Sequence, residues 1–223
     1  MPRSFLKVLG HIAVLWIGVM LGYYAVLPYF GFSIGYNTQP TLVAAYYAWW
    51  ILITVYAFRG VFLGHLPSAR ELRVDTALSA LFALGASGFL WMFSHLEAPH
   101  LSAFEPATDL LLASPWYFLP KSIEILLQQV LIAVFVLELA RQNFSLRIIV
   151  LVYAIVFGSA HLLLFFGGSF PPTVLIMTLA AVVSAAFFPY LMLRVPRGFL
   201  YAYMMHWIFY ALLALLLRFS LPV

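Results

Sequence analysis

The sequence predicts an all-α integral membrane protein with about seven transmembrane helices, and three observations support this prediction. Hydrophobic residues make up 65% of the 223 positions and charged residues only 8%, whereas about one quarter of the residues in soluble domains are charged. Apolar stretches long enough to cross a hydrocarbon core of about 30 Å recur along the whole chain. Most of the cations fall in connections that alternate with these stretches.

Each predicted span needs about 20 consecutive, mostly apolar residues. The stretches of this length are roughly 5–28, 41–60, 76–96, 118–140, 147–166, 172–193 and 198–219. The first stretch follows two cations, as a signal peptide would. It is too long for the apolar region of a signal peptide, and no small-x-small cleavage site precedes Tyr23. We therefore expect it to be retained as the first span.

The distribution of cations predicts the orientation of the chain. With the N-terminus in the cytoplasm, nine of the eleven Lys and Arg residues lie on the inner side, and only Lys121 and Arg218 lie outside. We expect the cytoplasmic membrane of a bacterium or an archaeon, with the C-terminus outside. The positive net charge follows from this orientation, since no basic arm or aromatic-basic array indicates nucleic-acid binding.

The connections between most spans are short, which predicts one membrane domain over residues 1–223. Residues 1–115 are expected to supply peripheral helices and the long outer connection at 94–116, and residues 116–223 the core. The chain has no cysteine, which excludes disulfides, thiol catalysis and thiolate metal ligands. A weak candidate for metal binding is the outer-loop set His95, Glu97 and His100, whose spacing matches no firm zinc signature.

Within the fourth, fifth and seventh predicted spans, five polar side chains stand out as ones that hydrocarbon would reject. They are Glu124, Gln128 and Gln129 on the fourth span, His161 on the fifth and His206 on the seventh. A carboxylate and two imidazoles at similar depth can form a general base, a water-activating site or a metal site. The structural alternative is that Glu124 only pairs with Lys121, three residues before it, while the other groups bond across helices.

The order of these residues resembles the CPBP family, the intramembrane CAAX-protease and bacteriocin-processing proteins, also called the Abi family. The family pattern is EExxxR on one helix, FxxxH on the next and HxxxN on a late helix. The matching stretches here are QQVLIA, FGSAH and HWIFY. The matching positions are Gln128, Gln129 and Ala133, then Phe157 and His161, then His206 and Tyr210. The resemblance covers about residues 115–219 and implies a CPBP-like helical core there.

The resemblance also implies a lost reaction. In the family a glutamate, helped by a histidine, activates water for attack on a peptide carbonyl. Neither Gln128 nor Gln129 can be that base, because glutamine accepts no proton at neutral pH. Ala133 removes the family's cation, and Tyr210 replaces its carboxamide. The first hypothesis is therefore a protein without peptidase activity, working as a scaffold, an accessory subunit or a binder of a partner's transmembrane helix. Its expected partners are membrane lipid and other membrane proteins, and it needs no cofactor.

Two other hypotheses use the same residues differently. The second is an intramembrane endopeptidase or acyl-processing hydrolase, in which Glu124 supplies the carboxylate while His161 and His206 activate water and stabilise the oxyanion. The third is a pigment- or haem-binding subunit with His161 or His206 as the axial ligand.

By this resemblance the glutamines look like neutral isosteres of the family's glutamate pair, which would keep its volume and hydrogen bonds without burying a charge. We therefore expect Gln128 or Gln129 to bond to His161 or His206, joining the fourth, fifth and seventh spans.

Overall fold

The computed structural model describes residues 3–32, 34–63, 69–96, 110, 113–162 and 171–220. These residues contain helices and no strand, which confirms the predicted all-α class. The long helices are α1 (Arg3–Leu21), α2 (Pro40–Ala57), α3 (Ala69–Ser94), α4 (Phe118–Arg141), α5 (Leu146–Leu162), α6 (Pro171–Arg194) and α7 (Gly198–Ser220). Four short segments adjoin them: a π-helical turn at Gly22–Val26, helical turns at Leu27–Tyr29 and Arg59–Phe62, and a 3₁₀ turn at Pro115–Tyr117.

Six helical segments are long and apolar enough to cross a membrane. They are Leu6–Tyr29, Pro40–Ala57, Glu71–Ser94, Pro115–Arg141, Val174–Arg194 and Gly198–Phe219. Six of the predicted spans are therefore confirmed by length and composition. The remaining helix, α5, is apolar over 17 described residues, about 25 Å at 1.5 Å per residue. The last residues of the predicted span 147–166 lie outside the described part of the chain.

Helix α4 is the centre of the bundle. Inside the protein, 61% of its span is buried, against 6–33% for the other five. Its apolar residues occur all around the helix, as is typical of a helix that is covered on every side. Helices α1, α2, α6 and α7 all pack against it. The polar residues of α4 are therefore held among several helices, away from lipid.

An arginine at each end of the bundle links the region of α7 to α3 or to the connection that follows α3. At one end Arg197, in the α6–α7 turn, forms an ion pair with Asp75 of α3 at 2.7 Å. At the other end Arg218 of α7 donates to the carbonyl oxygens of Leu96 at 2.6 Å and Ala113 at 2.5 Å. Helices α3 and α7 therefore run in the same direction, as the predicted alternation of spans requires.

The α6–α7 turn depends on a glycine. A Cβ atom at Gly198 would collide with the backbone oxygen of Leu191, so no larger residue fits without moving the backbone. Arg197, just before it, has a φ of 62°, in the left-handed region that non-glycine residues seldom adopt. This tight turn sets α6 and α7 side by side and positions the residues that they share.

Candidate functional site

A cavity of about 430 Å³ lies between α4, α5, α6 and α7, within the range of about 300–1,000 Å³ that is typical of ligand pockets. Its wall is mostly apolar. The lining side chains with a polar hydrogen-bonding group on α4 to α7 are Gln128, Tyr153, His161, Ser184, His206 and Tyr210. No Asp, Glu, Lys or Arg is among the described residues that line it. The cavity therefore offers hydrogen bonds but no formal charge of its own.

The cavity is open on the exposed face of α6. Leu179, Val183 and Phe187 line it, and they are 61%, 50% and 49% exposed. Their spacing of four residues places them in one row along the helix. Because α6 spans the membrane, this row faces lipid. An apolar molecule can therefore enter the cavity from the bilayer.

His161 is held by its own helix. Its Nδ1 lies 2.7 Å from the backbone oxygen of Phe157. A carbonyl oxygen only accepts hydrogen bonds, so Nδ1 carries the proton and, in the neutral ring, Nε2 is an acceptor. Among the described contacts His161 makes no cross-helix bond to either glutamine, so the predicted network does not extend to the fifth span.

The predicted bond between a glutamine and a histidine is present at one pair. Gln129 Nε2 lies 3.0 Å from Nδ1 of His206, which joins α4 to α7. The Gln129 side chain is fully buried, and its carbonyl oxygen has no partner among the described residues. His206 also stacks on Tyr210, with ring centroids 5.5 Å apart and an angle of 26° between the rings. These contacts fix the imidazole of His206 at the cavity wall.

Gln128 bonds instead to Glu124, within a group that we call the Lys121 cluster: Lys121, Glu124, Gln128, Tyr36 and Tyr47. Lys121 Nζ lies 2.5 Å from Oε2 of Glu124, which confirms the predicted pairing. Tyr36 donates to the same oxygen at 2.6 Å and lies 2.7 Å from the hydroxyl of Tyr47. Gln128 Nε2 donates to the other oxygen, Oε1, at 2.9 Å. Both oxygens of the carboxylate are therefore hydrogen-bonded within the protein.

Aromatic rings enclose the cation of this cluster. Lys121 Nζ lies 4.4 Å from the ring centroid of Tyr210, 4.9 Å from that of Tyr36 and 5.7 Å from that of Tyr117. Ammonium groups at such distances are attracted by the ring faces. Tyr36 lies in the connection between α1 and α2, where burial and then the Glu124 carboxylate raise its pKa well above that of a free phenol. It therefore stays protonated and remains a donor to Glu124.

The three residues of the hydrolase hypothesis do not line the same space. His161 and His206 both line the cavity, whereas Glu124 does not. Glu124 lines a separate gap of about 20 Å³ between α1, α2 and α4. Gln128 lines both spaces and so stands between the carboxylate and the cavity.

The other motif positions are packed as apolar or aromatic residues. Phe157 stacks on Tyr153 with centroids 4.6 Å apart and meets the edge of Trp16 at 5.9 Å. Ala133 is 4% exposed and fills part of the core around α4. A side chain as large as arginine has no room there without repacking.

Sequence reasoning missed several polar residues of the site. Tyr153 and Ser184 line the cavity and share a hydrogen bond of 3.1 Å between α5 and α6. Ser184 lies within an apolar span, so the criterion that selected the glutamines applies to it as well. Tyr36 and Tyr47 gave no such signal, because tyrosine is frequent throughout this chain.

The outer-loop set is only partly described. His95 is exposed, and its Nδ1 lies 2.8 Å from the backbone oxygen of Trp91. Glu97 and His100 lie outside the described residues. Within the described residues no three His, Cys, Asp or Glu side chains are grouped to hold a metal ion.

No protein family model matches the chain, and comparisons with characterised proteins and with solved structures found no match either.

Proposed function

We propose that this protein is a non-peptidase membrane protein that binds a hydrophobic ligand from the bilayer in the cavity between α4 and α7. The cavity is the observation that carries this proposal. It has the volume of a ligand site, an apolar wall and an opening on the lipid-facing row of α6. Pockets of this kind bind apolar molecules and use a few polar groups to orient them.

The Lys121 cluster supports the absence of peptidase activity. A general base needs a lone pair directed at the water that it deprotonates. Three hydrogen bonds occupy three of the about four lone-pair sites of the Glu124 carboxylate, and Lys121 neutralises its charge at 2.5 Å. The two positions that match the glutamates of the CPBP pattern carry glutamine. The resemblance to that family therefore supports a CPBP-like scaffold, accessory subunit or helix-binding protein whose site now binds rather than cleaves.

The experiment is purification in mild detergent, followed by native mass spectrometry for co-purified lipids and proteins. Ala180 lines the cavity, and Ala180→Phe would fill part of it. The matched control is Ala186→Phe, since Ala186 is exposed on the same helix and is not among the cavity-lining residues. We expect the bound lipid to be lost from Ala180→Phe and retained by Ala186→Phe. Equal lipid content in both variants would contradict the proposal.

A hydrolase that uses Glu124, His161 and His206 is the second candidate, and it is favoured by the two imidazoles at one cavity. It requires that Gln128 move aside to expose Glu124. The deciding variant is Glu124→Gln, tested against membrane peptides and acylated substrates. If the unaltered protein cleaves one of these substrates and Glu124→Gln does not, the hydrolase replaces the binding proposal.

A pigment- or haem-binding subunit is the third candidate. Metal-ligating histidines usually donate their other N–H to a carbonyl or carboxylate, and His161 does so to Phe157. An absorption spectrum of the purified protein tests it. We expect no Soret or red band.

A further inference from the structure

The charges around the cavity restrict the head group of its ligand. None of the described residues that line it is Asp, Glu, Lys or Arg, and its two histidines can be neutral. The nearby cation and anion, Lys121 and Glu124, are paired with each other at 2.5 Å. A phosphate, carboxylate or ammonium group in the cavity would therefore lack a counterion, and burying an unpaired charge is costly. The ligand is neutral where it meets the polar wall.

The hydrogen-bonding groups of the cavity wall restrict the ligand's head group further. His161 Nδ1 donates to Phe157, which leaves Nε2 as an acceptor. Gln128 commits its Nε2 to Glu124, and none of the described contacts engages its Oε1, a second acceptor. A ligand that fills this end must donate a hydrogen bond to His161 Nε2, or the nitrogen is left buried and unsatisfied. Ethers, esters and quinones have no proton to donate, whereas a hydroxyl group has one.

We infer that the cavity binds a long-chain lipid alcohol, with its hydroxyl group donating to His161 and its hydrocarbon chain leaving through the opening beside Leu179, Val183 and Phe187. This inference rests on the proposed function and names the class of its ligand. The hydroxyl oxygen can in turn accept a hydrogen bond, which the second Nε2 proton of Gln128 or the hydroxyl of Tyr210 can supply. The apolar wall receives the chain.

The test is a competition experiment on the unaltered protein in detergent. The probe is a long-chain alcohol that carries a photoreactive diazirine in its chain. The competitors share one chain length and differ only in the head group: the alcohol, its methyl ether, the alkyl phosphate and the alkyl amine. We expect the alcohol to compete about tenfold or more better than the methyl ether, because the ether leaves His161 Nε2 unsatisfied. We expect the phosphate and the amine to compete less well than the alcohol.

Two variants test whether His161 causes the preference for the alcohol. His161→Phe keeps an aromatic ring of similar size but removes the acceptor, so the alcohol should compete no better than the methyl ether in this variant. His95→Phe is the matched control, since His95 is exposed and does not line the cavity, and it should keep the preference for the alcohol. Unchanged preference in His161→Phe overturns the assignment of that residue.

The results separate the two proposals. If the methyl ether competes as well as the alcohol, the inferred head group is wrong, but binding of an apolar ligand stands. Stronger competition by the phosphate or the amine overturns the neutral head group. If nothing competes and no cavity residue is labelled, both the inference and the proposed function fail.

Discussion

The Lys121–Glu124 pair gives the most direct prediction for stability. Lys121 is 7% exposed, and its ammonium contacts one carboxylate oxygen and the faces of Tyr36, Tyr117 and Tyr210. Lys121→Met keeps the length of the side chain but leaves Glu124 as an uncompensated charge. Removing one partner of a buried pair costs about 3–5 kcal/mol of unfolding free energy. We expect about 3 kcal/mol, the lower end, since Tyr36 and Gln128 still donate to the carboxylate.

A double-mutant cycle isolates the charge from the packing. Glu124→Gln in the Lys121→Met background removes the remaining charge, so only neutral hydrogen bonds of about 1 kcal/mol each are lost. We therefore expect the double variant to recover about 2 kcal/mol relative to Lys121→Met. The assay is reversible unfolding in detergent micelles, followed by tryptophan fluorescence.

The chain offers a matched control for this cycle. Arg141 and Glu138 also lie three residues apart on α4, at 2.9 Å, but the Arg141 side chain is 57% exposed. Exposed pairs contribute about 0–1 kcal/mol, so Arg141→Met should change stability by no more than that. If Lys121→Met lowers the unfolding free energy as little as Arg141→Met does, the Lys121 cluster is solvated. Glu124 would then not be held in a structural role by that cluster.

Three further predictions concern the turn, the core and the orientation. Gly198→Ala should destabilise the protein by about 3 kcal/mol, because its Cβ would meet a backbone oxygen. Gly85→Ala, whose Cβ meets nothing within 4 Å, should be neutral or stabilising by about 1 kcal/mol in the same unfolding assay. Gln129→Leu should cost about 1 kcal/mol, because it leaves His206 Nδ1 without its partner, and an unchanged midpoint would contradict this. Since the chain has no cysteine, Thr38→Cys should react with an impermeant maleimide on intact cells, and Ser145→Cys only after permeabilisation. The opposite pattern would invert the predicted topology.

The class of the fold is visible in the sequence because the thickness of the bilayer sets the length of each spanning helix. A helix that crosses hydrocarbon must be apolar over about 20 residues, and this requirement is visible in composition alone. The Lys121–Glu124 pair was predictable for a similar reason, since residues three apart on a helix are neighbours whatever surrounds them. The bond between Gln129 and His206 was expected only as one of several combinations, because the rotation of α7 about its axis is set by packing.

The rest of the site depends on contacts between distant parts of the chain. Tyr36 reaches Glu124 across 88 positions of sequence, and no local pattern encodes such a contact. The one-turn offset between Glu124 and Gln128 correctly places them on one face. It does not show that Gln128 stands between the carboxylate and the cavity, since that depends on where α1 and α2 cover α4.

The two hydrogen bonds of Arg218 also bear on how this protein can change in length. Because one guanidinium binds the carbonyls of both Leu96 and Ala113, the two ends of the connection between α3 and α4 lie close together. The entropy of closing a flexible loop grows slowly, by about 0.6 kcal/mol for each doubling of its length. Because Arg218 holds the two ends of this connection together, we expect an epitope tag inserted between Leu96 and Leu110 to leave the helices in place.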